Sequence, residues 1–295
     1  MAQGFLVRRE QNDGTNSERE YELNGDVFVI LRNRKTKFLL QIGEDPVAAV
    51  EAYERKMQPS VKIIETRLFD SHSGMYLLGI ARPLNLYSGP MTNPVQQNEL
   101  AKSYRRENQT IVDDIESCFD IASPSTSNFD VFGTQFEKII YFSCVGVESL
   151  FNKVLADSGI DTDRTNTATF VKLKPLLRID EYALSLVQYP WLPKLEPFFG
   201  WTDASPSTSL PWFDAYNSLK HSKATNQHRA TMRNALSAAA AHYALSYAVF
   251  GNQMFTGYLS EQFFFHFERM PNWQIDELYF PPDEGGSWHA RPIVI

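Results

Sequence analysis

Leu210-Pro-Trp-Phe-Asp-Ala-Tyr216-Asn217-Ser-Leu-Lys220-His221, followed by Ser222 and Lys223, reads as the opening of a helix. Proline suits a first helical turn, where the N–H it lacks would have no intrahelical partner. At helical spacing Phe213, Asn217 and His221 share one face, while Tyr216, Lys220 and Lys223 share the adjacent one. An amide and an imidazole are thus placed where they can share a partner. Two readings stand side by side: the pair ties helices together inside a bundle, as buried polar groups must be satisfied, or it faces a ligand.

Working outward, helices dominate the centre and the following stretch. Downstream, His228 to Phe250 holds Ala235 and Ala238 to Ala241, which give high helix propensity and a smooth surface for close packing. Upstream, Gln96 to Ala122 carries Leu100, Tyr104, Ile111, Ile115 and Phe119 as an apolar stripe. Thr134 and Glu137 have capping-box spacing, and Phe136, Ile139, Ile140, Val147, Leu150, Phe151 and Val154 then line a helix that Gly159 ends. A shorter helical stretch covers Phe170 to Leu177, and the Pro- and Trp-rich run from Tyr189 to Pro211 reads as a packed connection.

The beginning of the chain has another character. Residues 1–20 read as a flexible tail, with turn chemistry at Asn12, Asp13, Gly14, Asn16 and Ser17. Val27 to Leu31 and Phe38 to Ile42 flank a turn as a hairpin, Asp45-Pro46 opens a short helix, and Val61 to Phe69 with Met75 to Ala81 suggests a second hairpin. Residues 21–86 are therefore expected as a ββαββ domain. A linker punctuated by Pro83, Gly89, Pro90 and Pro94 leads to a helical domain over 95–251, and 252–295 is an aromatic extension expected to pack on the domains. The fold class is α+β, a small ββαββ unit followed by a mainly helical bundle.

Bulk properties narrow the chemistry. In 295 residues, 43% apolar and 21% charged, there is material for an ordered core. The formal net charge of −7 argues against a broad footprint on nucleic acid, so any RNA contact must be local. No apolar run reaches the length expected to cross a bilayer, and the polar start has no signal-peptide stretch, which points to the cytoplasm and away from a membrane partner. Cys118 and Cys144, outside any CxxC pair, read as core residues. His72, His242 and His266 have no acidic or thiol residue at ligand spacing. Neither a metal nor a cofactor is expected, and no Walker or GxGxxG phosphate cradle occurs. Arg105-Arg106 and the group Arg32, Arg34, Lys35 and Lys37 read as solvated charge.

One resemblance adds to this reading. Pro197-Phe-Phe-Gly-Trp201, the Leu210 to His221 stretch with its Tyr-Asn-x-x-Lys-His core, Arg229-Ala-Thr231 and the Ala-rich helix ending at Gly251 resemble a group of bacterial proteins with a HEPN-like fold. Val147-Glu148-Ser149 fits the same pattern, which covers roughly residues 95–251. The resemblance implies a helical homodimer. Active members of that superfamily cut RNA without metal through an Arg-x4-6-His motif, histidine moving the proton and arginine stabilising phosphate charge. His221 matches the motif histidine and Asn217 the polar residue after the arginine, but Tyr216 stands in the place of the arginine. A phenol supplies no fixed positive charge. Lys220, Lys223 and Arg229 are the candidate substitutes, and Glu148, if buried near His221, would set its tautomer. Three functions follow as expectations: a non-catalytic module binding RNA, nucleotide or a protein partner in bacterial stress or phage defence; a metal-independent endoribonuclease using His221; or a structural interaction module.

Overall fold

The computed structural model describes residues 2–31, 35–71, 73–82, 98–251, 254, 264–280, 282 and 287–295. Two compact units divide the chain: the described residues of one fall in Met1–Tyr76, Arg82–Pro94 and Trp273–Arg291, those of the other in Leu77–Ala81, Val95–Asn272 and Pro292–Ile295. The fold is α+β, an antiparallel sheet at the start followed by a helical region.

The sheet has five strands, β1 (Ala2–Glu10), β2 (Asn16–Asn24), β3 (Val27–Ile30), β4 (Lys35–Leu39) and β5 (Lys62–Ser71), in the order β4-β3-β2-β1-β5. Residues 1–20, expected as a flexible tail, are corrected: β1 is an inner strand, paired with β2 from Gln3↔Leu23 to Glu10↔Asn16 and with β5 on its other side. Alternation explains why so short an apolar run suffices. Phe5 and Val7 face one way and join Tyr21, Phe28, Ile30 and the Ala49 and Val50 of a helix, while Leu6 faces the other way with Leu31, Phe69 and Phe280. That helix, α1 (Pro46–Met57), starts as expected, its Asp45 side chain accepting from the Ala48 N–H at 3.2 Å.

The order of this unit is ββββαβ, not ββαββ, because the second hairpin does not form. β5 pairs with β1 instead, and Met75–Leu77 (β6) pairs with His289–Arg291, the last strand of the chain. Part of the C-terminal extension thus belongs here, with Phe280 buried and the Arg82 guanidinium 4.8 Å over the Trp273 ring. The linker at 83–97 and the extension at 252–253 and 255–263 lie outside the described residues, as do His72, Arg32 and Arg34. At the core of the unit Glu54, almost fully buried, accepts from Arg9 at 3.0 Å, from Arg19 at 3.2 Å and from the Tyr21 hydroxyl. A carboxylate removed from water needs such partners.

In the helical unit, α2 (Asn98–Phe119), α3 (Thr134–Asp157), the one-turn helices α4 (Thr167–Phe170) and α5 (Lys174–Leu177), α6 (Pro211–Asn226) and α7 (Met232–Phe250) are joined by a two-stranded pairing of β7 (Ala183–Leu186) with β8 (Phe265–Arg269). α7 begins at Met232, its Thr231 cap accepting from Asn234 N–H at 3.2 Å, and Ala238 to Ala241 are fully buried. A helix buried on nearly all sides sits at the centre of its bundle. The capping box at Thr134 is corrected: Gly133 is the N-cap of α3 with no side-chain hydrogen bond, which leaves the Glu137 carboxylate for another partner. Among the described residues α3 is long and apolar enough to cross a membrane, with a mean hydropathy of 1.4, which the sequence reading did not anticipate. Its Ile139, Ile140, Val147, Leu150 and Val154 are instead buried in the unit's own core, where Cys118 and Cys144 also lie as free thiols.

Trp201 and Trp212 anchor the Pro-rich connection to this core. Both are 2% exposed, and their indole N–H groups each donate at 2.7 Å, to the carbonyls of Pro206 and Pro197 respectively. Trp201→Ala and Trp212→Ala are each expected to destabilise the chain by about 3–5 kcal/mol, through lost burial and an orphaned carbonyl. Urea unfolding measures this; midpoints equal to the parent's would mean the rings carry no packing energy.

Candidate functional site

α6 presents the residues singled out in the sequence along its length, and its local chemistry sorts them. Leu210 precedes the helix in extended conformation and Pro211 opens it. Trp212, Phe213, Ala215, Tyr216 and Leu219 turn inward, Asn217 is half-buried, and Lys220, His221 and Lys223 are exposed. At Ser222 the backbone leaves helical geometry (φ −152°, ψ 65°), a kink spanned by Asn226, whose amide donates to the carbonyls of Ser218 at 3.2 Å and Ser222 at 3.0 Å.

Asn217 and His221 share a helix face but no partner: among the described residues neither makes a hydrogen bond or ion pair. Glu148 is half-buried, and its expected role beside His221 is corrected. Its Oε2 accepts instead from the Tyr216 hydroxyl, at 3.1 Å. Tyr216 also meets Tyr141 edge to face at 5.7 Å and carries the Lys220 ammonium 5.3 Å above its ring. Burial, and then the Glu148 carboxylate, raise the Tyr216 phenol well above its ordinary range, so it is a neutral donor at pH 7.

The candidate cations differ in availability. Lys223 reaches Oε1 of Glu137 at 2.9 Å, and Arg229 is engaged by Asp214 and the Ser218 hydroxyl. Lys220 has no carboxylate partner among the described residues. Glu137, Tyr141 and Glu148 thus form an α3 border that supplies carboxylates and phenol, and α6 supplies ammonium, imidazole and amide. Tyr216 itself contributes a neutral phenol to this border, and the cation beside it is the Lys220 ammonium over its ring. Beside it, Thr110, Asp114, Lys138, Tyr141, Phe142 and Val145 line an apolar cavity of about 510 Å³. No group of three or more His, Cys, Asp or Glu among the described residues could hold a metal ion.

A second polar cluster escaped the sequence reading. His242, fully buried on α7, places Nδ1 2.9 Å from the Asn108 Oδ1 of α2. The Asn108 amide nitrogen donates to the Tyr104 carbonyl at 3.0 Å and to Ser246 at 3.4 Å, so its oxygen faces the imidazole and His242 donates from Nδ1. Nε2 lies 3.5 Å from a Glu107 carboxylate oxygen. Room for the ring exists only because residue 146 of α3 is glycine: a Cβ there would overlap the imidazole. The signal was Asn108 itself, which interrupts the stripe between Tyr104 and Ile111; its partner lies far along the chain. His242, Asn108 and Ser246 are buried, with the partly exposed Glu107 at the rim, and the cluster ties α2, α3 and α7 together.

Comparison of the chain with protein-family models, with curated proteins and with solved structures finds no match.

Gly146→Ala is expected to destabilise by about 1–3 kcal/mol by overpacking, and Gly146→Ala combined with His242→Ala should lose less than the two single changes added together. A purely additive pair in urea unfolding would deny the contact. The pH dependence has a definite sign. A phenol whose pKa is raised by folding keeps its proton where the unfolded chain has released it, so its stabilising share is intact below about pH 10 and falls as pH rises further. Stability of the parent should therefore decline above pH 10, and Tyr216→Phe should make the decline shallower; an unchanged slope in urea titrations between pH 9 and 11 would exclude Tyr216 as a contributor.

Proposed function

We propose that this chain is a non-catalytic HEPN-like module that binds RNA or a nucleotide through the exposed edge of α6. The observation that carries the reading is the hydrogen bond from Tyr216 to Glu148. Metal-free cleavage of a phosphodiester needs a positive charge fixed against the phosphate, and removing such stabilisation costs typically about 3 kcal/mol or more of the barrier reduction. Here the corresponding position holds a buried neutral phenol with a carboxylate behind it. Of the substitute cations, Lys223 and Arg229 are already paired with Glu137 and Asp214. Lys220 and His221 remain at the surface, side by side, which suits contact with one or two phosphates rather than a long duplex, in keeping with a net charge of −7.

One observation favours a second reading, a metal-independent endoribonuclease: His221 is exposed, so its imidazole is open to a substrate hydroxyl. The apolar cavity beside Phe142 and Val145 keeps a protein partner, or a second copy of the chain in a homodimer, as further occupants of the proposal.

The parent protein is expected to leave single-stranded RNA intact in EDTA while binding it at low salt, with Lys220→Ala and His221→Ala weakening the binding. EDTA-resistant cleavage by the parent that disappears in His221→Ala would instead establish the nuclease. Tyr216→Arg alone would pair with Glu148, so restoration of the motif charge is to be sought in Tyr216→Arg with Glu148→Gln.

A further inference from the structure

Among the ion pairs at the surface of the helical unit, Lys223 with Glu137 is built unequally. The Lys223 side chain is 57% exposed and the Glu137 side chain only 6%. In Lys102 with Glu99, by comparison, both partners are at least half exposed. An exposed ammonium that leaves its partner is rehydrated, whereas a carboxylate cut off from water keeps a strong demand for a cation. That demand is only partly met: Glu137 Oε1 holds Lys223 at 2.9 Å, and Oε2 has no hydrogen-bond partner among the described residues. The Ser222 kink places Lys223 beyond the break in α6, so its backbone direction is not that of the helix carrying Lys220 and His221. One helical turn along from Glu137 stands Tyr141, whose phenol is raised by burial and by Glu137, with Lys223 acting against them.

We propose that Glu137 is an internal competitor of phosphate for Lys223. Bound to this buried carboxylate, Lys223 is withheld from the α6 edge, and a phosphate-bearing ligand gains the cation only by displacing Glu137. This rests on the reading of α6 as a phosphate-binding edge and adds its restraint. The free chain binds phosphate more weakly than its lysines would allow. Neutralising Glu137 without changing its shape, in Glu137→Gln, releases Lys223 and tightens binding.

The test uses the full chain with two probes, a labelled ten-residue oligouridylate and inorganic tripolyphosphate, at low salt. For Glu137→Gln the expected outcome is about fivefold tighter binding of the oligonucleotide, with a salt dependence steeper by about one phosphate contact. Adding Lys223→Ala should abolish the gain. In the parent, Lys223→Ala should cost less affinity than Lys220→Ala, a comparison that holds even if Glu137→Gln folds poorly. A gain for the oligonucleotide alone identifies a nucleic-acid ligand; an equal gain for tripolyphosphate identifies phosphate itself. Binding by the parent that Glu137→Gln leaves unchanged overturns the competition. Acylation of lysine amines, read by mass spectrometry, separates this failure from failure of the phosphate-binding reading. Lys223 should react more slowly than Lys220 in the parent and speed up in Glu137→Gln. Equal rates in parent and variant overturn the restraint whatever binds, and absence of binding to either probe, with Lys223 released as expected, overturns the phosphate-binding reading and the competition with it.

Discussion

The close approach of α3 and α7 is the constraint on which the helical unit depends. Four consecutive alanines, Ala238 to Ala241, remove side-chain bulk from α7, and Gly146 removes it from α3 where the His242 ring must pass. A helix pair packed this closely has few alternative registers, because sliding by a residue would drive a larger side chain into the space that glycine leaves. The Asn108 amide then fixes the imidazole from α2. With α3 held in this way, Glu137, Tyr141 and Glu148 stand at set heights along α6. The surface chemistry is therefore positioned by buried residues that take no part in it.

Electrostatically the α3–α6 border resembles a site whose positive charges have been answered from within. Glu148 accepts from the Tyr216 hydroxyl, Glu137 holds Lys223, and Asp214 holds Arg229. What remains at the surface is Lys220, His221 and the Asn217 amide. The Lys220 ammonium stands over the Tyr216 ring, and the His221 imidazole is exposed beyond it.

Much of the helical unit was readable from sequence because its signals are local. The first turn at Pro211, the apolar faces of α2 and α3 and the alanines of α7 each declare a helix over a few residues, and Asp45 declares the start of α1 equally well. Pairing between distant strands is not local, and there the reading failed. The apolar run of β1 is only three residues long, Phe5 to Val7, and a strand buried on both faces shows no polar alternation to reveal it. Met75 to Leu77 looked like the return of a hairpin, since nothing nearby in sequence names the chain's last strand as its partner. In the site, spacing along one helix put Asn217 and His221 on one face, where they share no partner, and could not say that α3 would bring a carboxylate to Tyr216.

The smaller unit draws on both ends of the chain, and Arg82 reaches the carbonyl of Glu277 across 195 residues. During synthesis one face of its sheet can be covered early, by α1. The other face, with Leu6, Leu31 and Phe69, stays open until Phe280 has left the ribosome, after every helix from α2 to α7 has been made. Contacts this far apart in sequence close slowly, and apolar sheet left uncovered meanwhile invites association. A nascent chain stalled or cut just past α7 would carry every residue of the α6 edge and still behave as a sticky intermediate, a natural client for a chaperone.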